Sequence, residues 1–193
     1  NSFELYESMA EFDDLNLLDS SEQGLYASSS MVHVSDSLVT KVSDAGLYMV
    51  SSSAFLRTWD ASYHEDGSVI DADSKVTVWS MTSTSNLDSD STGDGILNYG
   101  TTQTLNVDTA NSNRLWEMTV SFEDLTGNPV DADWQTLGFS GTASSGSAVL
   151  PVSETGSQIT ATFAGVGAIS TPTGTQGGTH TIQVLSLIHI SEP

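Results

Sequence analysis

The chain has 193 residues, enough for one large domain or two of about 80–100 residues, and sets 25 acidic side chains against 4 basic ones for a formal net charge of −21. A surface this negative repels phosphate backbones and argues against nucleic acid and anionic membranes as partners, and no apolar run approaches the ~20 residues of a membrane-spanning helix. Cysteine is absent, which removes disulfides and thiol chemistry, and a 37% apolar content filled out with Gly, Ser, Thr and Asp suits short strands better than helices.

In chain order, residues 1–22 form a peripheral segment or the end of a preceding domain. Leu5, Met9 and Phe12, with Asp and Glu between them, fit an amphipathic helical turn; alternatively Phe3 and Leu5 finish a strand. Residues 23–100 read as a β-rich module. It opens with a short internal similarity, in which Gly24-Leu25-Tyr26-Ala27-Ser28-Ser29-Ser30 recurs as Gly46-Leu47-Tyr48-Met49-Val50-Ser51-Ser52-Ser53. A longer one aligns residues 56–73 with residues 115–133 at an offset near 60, each ending in a hydrophobic-Asp-Ala-Asp step. Together they suggest related modules in series.

The strand expected over 76–81 places Trp79 opposite Val76 and Val78, which makes Trp79 the preferred exposed aromatic for stacking on a ligand. Beyond it, Asp88, Asp90, Thr92, Asp94 and Asn98 carry oxygen donors at alternating positions with glycines between them. Ca²⁺ takes several such oxygens from a tight loop. Residues 90–97 approximate the first part of an EF-hand-type loop, although Thr101 stands where the bidentate Glu belongs. The segment also resembles the Asp-rich Ca²⁺ repeats of thrombospondin type 3, with Ser91 and Thr92 interrupting the spacing. A solvated Asp/Ser/Gly linker is the competing reading. Ca²⁺ is therefore the candidate cofactor, held weakly at about 10⁻⁴–10⁻³ M as in extracellular modules. The pairs Asp71/Asp73 and Asp131/Asp133 read first as turn residues and second as bridges to a metal.

The clearest strand covers 116–123, with Trp116, Met118, Val120 and Phe122 on one face and Glu117, Thr119, Ser121 and Glu123 on the other. Residues 158–163 and 179–184 alternate in the same way, and 105–107, 134–139 and 148–152 do so more weakly. Turns at 126–129 and 144–147 separate them. On the strand at 115–122, the turn Gly127-Asn128-Pro129-Val130 and the closing strand at 178–184, residues 101–184 resemble the immunoglobulin-like modules of large bacterial and archaeal surface proteins. That resemblance implies a spacer or adhesive module without enzymatic activity. The expected fold is all-β, with one or two antiparallel Ig-like β-sandwich modules.

The final residues, 185–193, resemble the in-frame translation of a transposon adapter used in sequencing libraries. With Asn1 in place of an initiator Met, they lead to the expectation of an internal fragment of a longer reading frame, cut at both ends.

No Gly-x-Ser-x-Gly, phosphate loop or dinucleotide fingerprint occurs, His33, His64 and His180 lack zinc spacing, and no pair of the acids stands out for glycoside hydrolysis. The expected function is a non-enzymatic structural or adhesive module of a large secreted or cell-surface prokaryotic protein, stabilised by Ca²⁺ if the acidic loop binds it. Its expected partners are neighbouring modules of the same chain and surface glycans or proteins. Alternatives are a carbohydrate-binding accessory module of a secreted hydrolase, with Trp79 on the sugar, and a viral fibre or tail segment.

Overall fold

The computed structural model of the chain describes residues 2–19, 22–40, 44–101, 103–154, 156–164, 167–172 and 179–183. Residues 185–193, with their adapter-like sequence, lie outside the described residues. The chain divides into two compact units, Asn1–Leu115 and Trp116–Pro193.

In the first unit, short and long strands alternate: β1 (Phe3–Tyr6), β2 (Met9–Leu18), β3 (Leu25–Ser28), β4 (Met31–Thr40), β5 (Ala45–Val50), β6 (Ser53–Ser62), β7 (Asp66–Ile70) and β8 (Lys75–Thr82). β9 (Ser91–Tyr99) and the first half of β10 (Val107–Glu123) follow. Every pairing here is parallel, in the orders β1-β3-β5-β7-β9 and β2-β4-β6-β8-β9, with β10 laid on β9. The chain winds as a parallel β-solenoid of about four turns.

This overturns the expected antiparallel Ig-like β-sandwich. Period-2 alternation shows that a segment has one buried face, but it is the same for a strand with a parallel or an antiparallel neighbour. Between residues 2 and 19 the chain forms strands rather than a helical turn, and Phe3 and Leu5 lie in a strand as the alternative reading had it. Here β1 and β2 form the first coil, in register with β3 and β4.

The solenoid follows from stacking at a step of 22 residues, the register that joins Leu25 to Leu47 and Val32 to Ala54. Inward side chains therefore fall into columns. Val32, Ala54, Val76 and Leu97 make one, Val34, Leu56 and Val78 another, and Ala27, Met49 and Ile70 a third, all buried. The Leu25–Leu47 column continues as hydroxyls, with Ser68 Oγ donating to Ser91 Oγ (2.9 Å) and Ser91 Oγ 2.8 Å from Thr109 Oγ1. A polar column is tolerated because each member satisfies the next. In β6 the buried positions step from Ala54 and Leu56 to Trp59 and Ala61, leaving Arg57 and Thr58 both outside. That three-residue step bends the long strand, so each coil has three faces. We call these the first face (β1, β3, β5, β7), the second face (the first half of each long strand) and the third (its second half).

The corner between the first and second faces repeats in chemistry as well as shape. Glu7, Ser29 and Ser51 take left-handed backbone, with φ of 47°, 51° and 47°, and each is followed by a serine. Those serines form a hydrogen-bonded column: Ser8 N–H donates to Ser30 Oγ (3.1 Å), Ser30 N–H to Ser52 Oγ (2.9 Å) and Ser52 N–H to Ser74 Oγ (3.1 Å). Each hydroxyl in turn donates backwards, Ser30 to Ser28 O and Ser52 to Val50 O. The turn's backbone is thereby satisfied where no strand ladder can reach it. On the opposite corner, Gly24, Gly46 and Gly67 stack so closely that a Cβ on Gly46 would lie 2.7 Å from Gly67 O.

The second unit contains β11 (Ala132–Thr136), β12 (Phe139–Ala143), β13 (Ser147–Ser153), β14 (Gln158–Phe163), β15 (Gly167–Pro172) and β16 (Thr179–Gln183). β12-β11-β14-β15 is an antiparallel sheet, while the end of β10 pairs with β13 and, in parallel, with β16. Trp134, Ile159, Ala161 and Phe163 of the first group and Val120, Phe122 and Ile182 of the second are buried, with the Phe122 and Phe163 rings edge to face at 6.1 Å. After β10 the chain turns through a loop organised by Asp124, whose carboxylate accepts from Thr126 N–H (2.8 Å), Thr126 Oγ1 (2.7 Å), Asn128 N–H (2.9 Å) and Asn128 Nδ2 (3.0 Å). These hydrogen bonds, led by those from the Asn128 and Thr126 side chains, hold Asp124 well below the ordinary carboxylate range.

Two predictions follow from these contacts. Ser52→Ala strands the buried Ser30 N–H and should destabilise by about 1–3 kcal/mol, and Gly46→Ala should cost a similar ~1–3 kcal/mol through overpacking. Urea unfolding of the full chain checks both, and unchanged midpoints would contradict the stacked corners. Because the folded pKa of Asp124 is depressed, its stabilisation is present above the unfolded value of about 3.9 and is lost as pH falls below it toward the folded value. Carboxyl NMR should show Asp124 still ionised at pH values where a model aspartate in an unfolded peptide is already protonated, and Asp124→Asn should remove that component of the acid-unfolding curve.

Candidate functional site

The step of 22 residues that stacks the core also stacks the exterior. On the second face the outward positions run as columns along the coil axis, one of them passing through Met31, Ser53, Lys75 and Ile96 and another through His33, Phe55, Thr77 and Asn98. His33 and Phe55 lie 4.9 Å apart, centroid to centroid. Beside them Arg57 places its guanidinium 4.9 Å from the centroid of the Trp79 ring, a cation–π contact.

Trp79 is thus half-buried on the outside of β8, with Val76 and Val78 turned into the core. Arg57 and Lys75 are exposed, as are Met31 at 38% and Ile96 at 41%. Two of the chain's four basic residues stand on this face, and its outward positions in β4, β6 and β8 carry no Asp or Glu, although Glu11 continues the His33 column into β2 and Asp94 is exposed on β9. In a chain of net charge −21 this is a local exception. The first face differs again: Tyr26 and Tyr48 stack at 5.7 Å, and Tyr6 lies 5.6 Å from Tyr26. The Tyr6 hydroxyl donates to Glu4 (2.9 Å), and that hydrogen bond raises the Tyr6 pKa.

The acidic segment is divided between two surroundings. Asp88 and Asp90 border a polar cleft of about 290 Å³ lined also by Ser83, Asn86, Ser89 and Asn106. Both oxygens of Asp90 are engaged within the protein, Oδ1 by Asn86 Nδ2 (3.0 Å) and Oδ2 by Asn106 N–H (2.7 Å). Asn86 also receives the His64 N–H (2.9 Å), while His64 Nε2 lies 2.9 Å from Val39 O. Asp90 therefore ties the lengthened corner before β9 to the buried His64. Thr92, Asp94 and Asn98 lie instead along β9, with Asp94 exposed and Asn98 in contact with Thr77 Oγ1 and Asn113. At about 3.3 Å per residue, a strand spreads these oxygens over a far greater length than one ion spans. No group of three or more His, Asp or Glu suited to a metal occurs among the described residues.

Asp71 Oδ1 accepts from Ala72 N–H (2.7 Å) in a turn and Asp131 Oδ1 from Ser145 N–H (2.7 Å), whereas Asp133 lies within β11 and its Oδ1 accepts from Thr142 Oγ1 (2.8 Å) across the β11–β12 pair. Sequence reasoning singled out Trp79 but missed Arg57 as its neighbour and the His33–Phe55 pair on the same face. The signal was present, since Arg57 and Trp79 are separated by the same 22 positions as the Gly24 and Gly46 copies.

Replacing Asp90 by Ala removes the acceptor of the exposed Asn106 N–H and one of the three acceptors of Asn86 Nδ2, and we expect a loss of about 0.5–1.5 kcal/mol in urea unfolding with the hydrogen-exchange protection of Asn106 abolished. Unchanged protection would show that Asp90 does not hold this corner. Comparison of the chain with known protein families, with curated proteins and with solved structures finds no match.

Proposed function

We propose that the chain is a non-enzymatic structural and adhesive module of a secreted or cell-surface protein. The observation that carries this reading is the in-register stacking of coils, which turns a repeat in sequence into straight rows of side chains on an extended, hydrogen-bonded scaffold. Such rows suit multivalent contact, in which several weak, identical contacts act together. Strong negative charge keeps a scaffold of this kind soluble and apart from its own copies.

The test is retention of the full chain, immobilised at one terminus, on cell-envelope material under flow. We expect several-fold more retention than for an equally acidic globular control, with no release of cleavage products from the envelope polymer. Equal retention would overturn the adhesive reading, and steady product release the non-enzymatic one.

A further inference from the structure

We propose that the second face of the solenoid binds an extended acidic polysaccharide, with its sugar rings against Phe55 and Trp79 and its carboxylates on Arg57 and Lys75. This rests on the adhesive reading and names the ligand class that would serve it.

The first argument is periodicity. Phe55 sits between His33 and Thr77 in one column, and Arg57 lies over Trp79 beside it, so aromatic and cationic groups repeat from coil to coil. Neighbouring coils are spaced by the separation of hydrogen-bonded strands, about 4.7–4.9 Å. That step is close to the length of one sugar ring in an extended chain. A polysaccharide running along the coil axis can therefore present successive rings to successive coils without changing register.

The second argument is chemistry. A pyranose has an apolar C–H face that packs on aromatic rings and a rim of hydroxyls and carboxylates that needs polar partners. The second face offers both in alternation: His33, Phe55 and Trp79 are half-buried, while Arg57 and Lys75 extend into solvent. Arg57 suits a carboxylate in particular, because its planar fork donates to two oxygens at once and can stay stacked on Trp79 while doing so.

The third argument is charge. Repulsion from the rest of the chain falls off over a Debye length of about 8 Å at physiological ionic strength, so Arg57 and Lys75 act most strongly over the outward positions of β4, β6 and β8, where no acid stands, with Glu11 and Asp94 at the margins. Two cations are too few for a nucleic-acid backbone, whose affinity grows with the number of phosphates neutralised. A peptide cannot add here as a strand, since the backbone groups in the middle of this face are already paired from coil to coil.

Affinity electrophoresis of the full chain through gels containing a polyuronate, a neutral glucan or a heteropolymeric DNA tests the inference. The polyuronate should retard the chain, less so as salt is raised, and more than either other polymer. Lys75→Ala, at an exposed position, should weaken retardation about tenfold while leaving the unfolding midpoint unchanged. Trp79→Phe should retain part of the binding and Trp79→Ala lose it. No retardation by polyuronate, stronger retardation by glucan or DNA, or a Lys75→Ala protein that binds as well as the parent would each overturn the proposal. If the chain still adheres to envelope material under flow in that case, the adhesive reading stands and only its ligand is wrong; if it adheres to nothing, both fall.

Discussion

Everything in the first unit depends on one constraint: each residue must be compatible with the residue 22 positions away, because the two lie on adjacent rungs of the same parallel ladder. A parallel ladder without helical crossovers has no other way to bring its strands together than to coil, and coiling requires corners. The corners here are closed by a left-handed residue followed by a serine whose hydroxyl receives the preceding coil's amide. Residues such as Ser29 and Ser51 accept the cost of a positive φ because the serine column beside them satisfies the turn's backbone. Each coil also buries the apolar columns of its neighbour. The inward residues of β1 and β2, Phe3, Leu5, Phe12 and Leu17, are partly buried, while their ladder partners Leu25, Ala27, Val34 and Val39 are buried.

The same constraint sorts the surface. Outward residues inherit neighbours from the ladder, so a tyrosine row forms on the first face and an aromatic and basic strip on the second, although neither is contiguous in sequence. Most acids lie elsewhere, at corners such as Asp73 and Asp88 and on the third face at Asp36 and Asp60, while Glu11 and Asp94 flank the basic strip. Charge alone describes the whole molecule poorly, because the property that bears on recognition is its distribution among faces.

The second unit obeys a different rule. Its four-stranded sheet is antiparallel and built from near neighbours in sequence, with β11 and β12 joined by a tight turn at Leu137 and Gly138, both at positive φ. Strand β10 belongs to both units, pairing with β9 through its first half and with β16 through its second. This explains its length of 17 residues, much more than the stretch from 116 to 123 that alternation alone picks out. Its first half carries Asn111, Ser112 and Asn113, which hide the strand from any hydrophobic pattern.

By itself, the sequence determined the secondary-structure class, several strand positions and the outward placement of Trp79. The alternation at 158–163 matches β14, that at 148–152 falls within β13, and that at 76–81 falls within β8. These are local properties, set by the period-2 geometry of a strand with one buried face. It also held one legible repeat, Gly24–Ser30 against Gly46–Ser53, which is the ladder register itself. The later coils escaped notice because the ladder demands compatible side chains rather than identical ones. Leu47 meets Ser68 with the step shortened by one residue, and the serine is tolerated by its hydrogen bond to Ser91. Only the tertiary structure decided whether the strands run parallel or antiparallel, which acids share a cleft and which stand apart, and that Arg57 belongs with Trp79. Those are relations between residues many positions apart, and local alternation contains no term that couples them.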